Sequence, residues 1–141
     1  MTTISLELAK ELREVCKNKG VQLPESYFSY AFWIPGQTTT LRCTWQAESS
    51  NWKLVAYAYT LDELLEIIPR YCDHNAGRDI SELTLKKRHD YHDDVWFCGY
   101  LVDNAYSDTN QSYWSFCLDG ENPANAACKL LIWLVKEGLK E

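Results

Sequence analysis

Residues 122–136, NPANAACKLLIWLVK, constrain the fold more than any other stretch. Asn122 can cap a helix and Pro123 suits its first turn, so a helix starts here. From Leu130 to Val135 it is apolar on nearly every side, which rules out a helix lying half in water. Such a helix must sit deep against a sheet or in a subunit contact. The run is also far shorter than the ~20 apolar residues of a membrane span.

The strands that could receive this helix are readable upstream. Residues 27–34 (YFSYAFWI) and 38–46 (TTTLRCTWQ) are rich in aromatic and β-branched types and flank Pro35-Gly36, the signature of a β-hairpin. Phe28, Tyr30 and Phe32 fall on one face of the first strand, Tyr27, Ala31 and Trp33 on the other. A strand apolar on both faces is expected either at the centre of a covered sheet or at an interface. After Ser49-Ser50-Asn51, residues 52–59 (WKLVAYAY) read as a third strand.

A second unit repeats the scheme. Strands are expected over roughly 81–88 and over 94–102, then a short aromatic strand over 113–118. Residues 70–79 and 103–111 read as polar loops. Two further helices complete the order. The first spans 4–19, with Ile4, Leu8, Leu12 and Val15 on one stripe, Thr3 as cap and Gly20 at its left-handed end. The other spans 61–68, opened by the capping box Thr60-Leu-Asp-Glu63 and closed by Pro69. Runs of strands broken by single helices predict an α+β fold. We expect one domain over residues 1–141: an antiparallel sheet of about five or six strands, built from two hairpin-plus-strand units. An N-terminal, a short middle and a C-terminal helix pack with it.

Charge and cysteine usage narrow the chemistry. A formal net charge of −6 opposes a phosphate backbone as main partner, so no nucleic acid is expected, and Lys86-Lys87-Arg88 reads as a solvated strand end. The N-terminus is charged and helical in pattern, without a signal core, so a cytoplasmic protein that meets no membrane is expected. The six cysteines never come closer than eleven positions and form no C-x-x-C pair, so they are expected reduced and buried.

The segment KKRHDYHDDVWF, residues 86–97, is the part that most resembles chemistry. His89, His92 and Asp93 are the candidate metal ligands, with Asp90 and His74 nearby. In a continuous strand His89 and His92 would point to opposite faces, which defeats convergence. As the tip between two strands, the same Asp and His content is ordinary turn chemistry, and that reading is preferred. Cys72, two residues from His74, is read as packing rather than as a nucleophile. With no P-loop, G-x-G-x-x-G or G-x-S-x-G present, no cofactor is expected.

Aromatic residues are the outstanding compositional signal, at six Trp, nine Tyr and four Phe. They fill cores, enrich protein interfaces and line sugar-binding grooves. Trp45, Trp52 and Tyr106 neighbour polar turns and are the candidate contact residues.

TLDELLEIIP (60–69) and ENPANAACKLLIWLVKEG (121–138) together resemble a loose group of small proteins encoded by phages, prophages and other mobile elements of gut bacteria. In that group a T-L-x-E-L-L-x-x-L-P segment and an N/D-P-x-x-A-x-x-x-L-L-x-W-L helix recur. The resemblance implies a genetic setting and carries no catalytic residue. The expected function is a small non-enzymatic protein that binds another protein or a second copy of itself, through strand 27–34 or the C-terminal helix. A metal-binding protein or hydrolase-like enzyme using the His89–His92 segment is one alternative, and a glycan or small-ligand binder using exposed aromatics is another.

Overall fold

The computed structural model describes residues 2–33, 36, 38–47, 51–73, 80–89, 94–102 and 113–137. Helix α1 (Leu6–Lys19) starts later than the periodicity predicts. Thr3 is not its cap. It bridges to Thr60, and the Ile4 amide donates to the Tyr59 carbonyl, so this stretch is held extended. Ser5 caps instead, its Oγ accepting from the Leu8 amide, while Gly20 closes the helix at φ 68°.

Strands β1 (Phe28–Trp33) and β2 (Thr39–Cys43) form the expected hairpin, with Phe32 opposite Thr39. The predicted second strand ends early, because Thr44 begins a four-residue helix, α2 (Thr44–Ala47). Topology explains the change. Strand β3 (Trp52–Tyr57) pairs with the other side of β1, in the order β2-β1-β3. Since β1 is antiparallel to both neighbours, β2 and β3 are parallel, and the chain must cross the sheet to join them. The α2 segment makes that crossing and touches all three strands.

Helix α3 (Leu61–Ile67) carries the predicted capping box: the Glu63 amide donates to Thr60 Oγ1 and the Thr60 amide to Glu63 Oε1. A short strand, β4 (Tyr71–Asp73), lies inside the stretch expected to be loop. It pairs with β5 (Ile80–His89), followed by β6 (Asp94–Val102) and β7 (Tyr113–Gly120) in a four-stranded antiparallel meander. The α+β fold is therefore present, but among the described residues its seven strands divide into two sheets instead of joining into one.

Helix α4 (Pro123–Lys136), capped by Asn122 with Pro123 in its first turn, joins the halves. It packs on β6 and β7 and meets α1 and α3 on its other sides, which accounts for its apolar circumference. Leu130, Leu131 and Val135 are fully enclosed. Asn125 is spent inside as well, its Oδ1 accepting from the Ser5 amide at the start of α1. Register shows which residues of the large sheet face this helix. Leu83 pairs Tyr100 and Tyr100 pairs Phe116, while Leu85 pairs Cys98 and Cys98 pairs Leu118, and all belong to one apolar cluster. The Tyr100 hydroxyl, carried into this core, donates to the Pro69 carbonyl. Among the described residues no helix is long and apolar enough to cross a membrane.

Candidate functional site

The small sheet places its side chains by alternation. Ser29, Ala31 and Trp33 of β1 share one face with Arg42 and Thr40 of β2 and with Trp52 of β3, their cross-strand partners. Ser29 and Ala31 are closed off completely because α2 passes over them. Thr44 fastens the crossing. Its hydroxyl donates to the Ser26 carbonyl at 2.5 Å, which leaves the Ser29 hydroxyl to donate to Thr44 Oγ1 at 2.7 Å. Only small side chains leave room for a helix this close to the strands, and Ser29, Ala31 and Ala47 supply them.

Beyond that seam the aromatic residues are left open. Trp33 and Trp52 meet edge to face, ring centroids 5.2 Å apart, and the Arg42 guanidinium lies 4.7 Å from the Trp52 ring. Trp45, on α2, is 66% exposed, and Tyr27, Leu41 and Trp33 are exposed at 61%, 44% and 38%. Among the described residues these four are the exposed large apolar side chains, and all fall between positions 27 and 45. The charge pattern is equally local. Residues 26–47 contain no Asp or Glu, and Arg42 is their single charge, in a chain with 20 acidic residues.

Two grooves flank the extended segment 21–25 at the back of the same sheet. One, of about 520 Å³, runs between α1 and β3 past Arg13, Cys16 and Tyr57. The other, of about 580 Å³, carries Glu25, Glu63 and Glu66 beside Ile67 and Pro69. Their groups are largely committed to structure. Tyr59 donates its hydroxyl to the Pro24 carbonyl, and Arg13 donates to the Val55 carbonyl. Glu63 accepts from the Ser26 hydroxyl and the Tyr27 amide in addition to its capping bonds. The described aromatic contact candidates Trp45 and Trp52 line neither groove.

Thiol chemistry is also disfavoured. Burial pushes the Cys98 and Cys128 thiols up to about 12, and it raises Cys16 and Cys117 as well. A thiol held protonated is a poor nucleophile and a poor metal ligand. Cys16, Cys43, Cys98, Cys117 and Cys128 are all free.

Of the residues singled out from sequence, Trp45 and Trp52 both lie at the small sheet, the first fully presented and the second partly shielded by Trp33 and Arg42. Tyr106 lies outside the described residues. His89 ends β5 and pairs with Asp94, the first residue of β6. His74, Asp90, His92 and Asp93 lie outside the described residues, among which no group of three or more His, Cys, Asp or Glu could hold a metal. Tyr27 and Trp33 belong to the strand 27–34 expected as a binding surface, although neither was singled out as a contact residue, and Leu41 and Arg42 were not marked at all. The missing signal was the acid-free stretch around them. No protein family, curated protein or solved structure matches this chain.

Proposed function

We propose that this chain is a non-enzymatic protein-binding module of a phage or other mobile element, with the three-stranded sheet as its contact face. The observation that carries the reading is that Tyr27, Trp33, Leu41 and Trp45 are all exposed within one acid-free stretch of the small sheet, with Leu41, opposite Tyr30, on the other face from Trp33. Trp, Tyr and Arg are the residue types that dominate binding energy at protein interfaces. The C-terminal helix, the other surface expected to bind, is used up within the chain's own core. Burial keeps the Cys16, Cys98, Cys117 and Cys128 thiols from ionising, and Glu63 is held by its capping bonds and by Ser26 and Tyr27, so these groups are poorly suited to nucleophilic chemistry.

The test compares proteins captured from the native host by the wild-type chain and by a Trp33→Ala, Trp45→Ala variant. A partner retained by the first and lost by the second, with both equally folded, is the expected outcome. Equal capture by both would move the contact elsewhere.

A further inference from the structure

Among the described residues four strands form the edges of the two sheets, and three of them are blunted. β3 carries an extra residue, Val55, between its pairings to Tyr30 and Ala31, and Arg13 occupies the carbonyl exposed there. β7 carries an extra residue at Ser115, between the pairings of Trp114 with Leu101 and Phe116 with Tyr100. β4 is only three residues long. β2 runs in unbroken register over five residues, from Thr39 opposite Phe32 to Cys43 opposite Phe28. It also carries exposed Leu41 and leads directly into exposed Trp45.

The direction of its free backbone groups follows from one bond. The Thr44 amide donates to the Tyr27 carbonyl at 2.7 Å, so that pair is hydrogen-bonded, and bonded pairs alternate along an antiparallel ladder. Thr40 and Arg42 therefore bond to β1. Thr39 and Leu41 turn their N–H and C=O groups outward, away from the sheet, and Cys43 its N–H, the Cys43 C=O lying at the start of α2.

We propose that two copies of this chain pair their β2 strands antiparallel about Leu41, joining the two small sheets into one continuous sheet of six strands. The proposal rests on the small sheet being the contact face and names the occupant. The strand is self-complementary about its middle residue. In that register Leu41 meets Leu41 of the second copy, the two exchanging both N–H···O=C bonds, and the Cys43 N–H meets the Thr39 C=O. Arg42 comes opposite Thr40, whose hydroxyl is buried without a hydrogen-bond partner in the single chain. No like charges face each other directly. Two chains that each carry a net charge of −6 repel least where neither presents a carboxylate, and residues 26–47 are that place.

Sedimentation over roughly 1–100 µM should show a species of twice the 16.4 kDa chain mass, growing with concentration. Leu41→Pro should abolish it. Its lost N–H serves no bond within the chain, and an edge strand tolerates proline where the N–H faces out. Leu41→Lys, which sets like charges across the two-fold axis, should abolish it independently. Hydrogen exchange on the wild type decides the matter even where neither variant folds. The Leu41 amide should exchange about tenfold more slowly in the paired species than in dilute monomer. A wild-type monomer throughout, a dimer that survives Leu41→Pro, or a Leu41 amide whose exchange ignores concentration overturns the pairing. The contact-face reading is judged apart from this, since partner capture lost in Trp33→Ala, Trp45→Ala would stand with the chain monomeric.

Discussion

On the four-stranded sheet, Leu83, Leu85, Trp96, Cys98, Tyr100, Phe116 and Leu118 turn toward α4 and merge with its apolar circumference. The three-stranded sheet lends that core only Ala56 and the flanks of Tyr30 and Tyr57. Its other face is sealed along a narrow seam of Ser29, Ala31 and Ala47, and its larger rings are left at the rim. One sheet therefore spends its aromatics on folding, whereas the other holds them in reserve. Aromatic content by itself does not separate the two uses. What separates them is whether a helix lies over the strand at that position, and α2 is too short to cover Trp33 and Trp52 as α4 covers Tyr100 and Phe116.

The sharpest test of that contrast is to truncate a large side chain on the α4 side. Leu131 of α4 is fully enclosed, so Leu131→Ala should lower unfolding free energy by about 2–5 kcal/mol, through lost burial and the cavity left behind. Urea denaturation measures it. A loss under about 1 kcal/mol would mean that the α4 interface is loosely packed and that the two sheets are less different than described.

A smaller effect comes from pH. The Cys98 and Cys128 thiols have an ordinary value of 9.0 and sit near 12 in the fold, because burial penalises the thiolate. Between pH 9 and 12 the unfolded chain releases these protons while the native chain keeps them. Stability therefore holds below pH 9 and falls as pH rises above it, by at most about 1.4 kcal/mol per pH unit for each thiol. A Cys98→Ala, Cys128→Ala variant, whatever its stability at neutral pH, should lose most of that slope. Chemical denaturation at pH 8, 9 and 10 under reducing conditions reads both. A slope unchanged by the double substitution would place the titration elsewhere.

The parts of the fold that sequence foretold are those whose signals are local. Asn122-Pro123, Thr60 with Glu63, and Gly20 each complete a helix end within a few residues, and each does so in the structure. The departures are places where distant partners decide. Thr3 reads as a cap until Thr60 claims its backbone, and the cap passes to Ser5. TWQA reads as the end of a strand, yet β3 lies on the far side of β1, and only a bend at Thr44 lets the chain reach it. Glu63 shows both cases in one side chain. Its bond to Thr60 is legible from spacing, and its bonds to Ser26 and Tyr27, 37 and 36 residues away, are not. The candidate contact face divides in the same way. Trp45 and Trp52 stand beside turn residues and were identifiable, but Trp33 and Leu41 sit in strands whose coverage depends on what the rest of the chain lays over them.

The last comparison concerns a substitution expected to do almost nothing to the fold. Trp45 exposes two-thirds of its surface, and among the described residues its ring stacks on no other aromatic. What holds α2 in place is the Thr44 hydroxyl, received between Ser26 and Ser29, and the buried Ala47. Trp45→Ala should accordingly change stability by no more than about 0.5 kcal/mol, since exposed positions without such ties rarely matter more. Thr44→Ala, one residue away, would leave the Ser26 carbonyl and the Ser29 hydroxyl enclosed without a partner and should cost roughly 1–3 kcal/mol. The pair, measured side by side by urea denaturation, separates a residue kept for the fold from one kept for its surface. Should Trp45→Ala prove the more damaging, its ring would be bracing the crossover, and the small sheet would have less free surface to offer a partner.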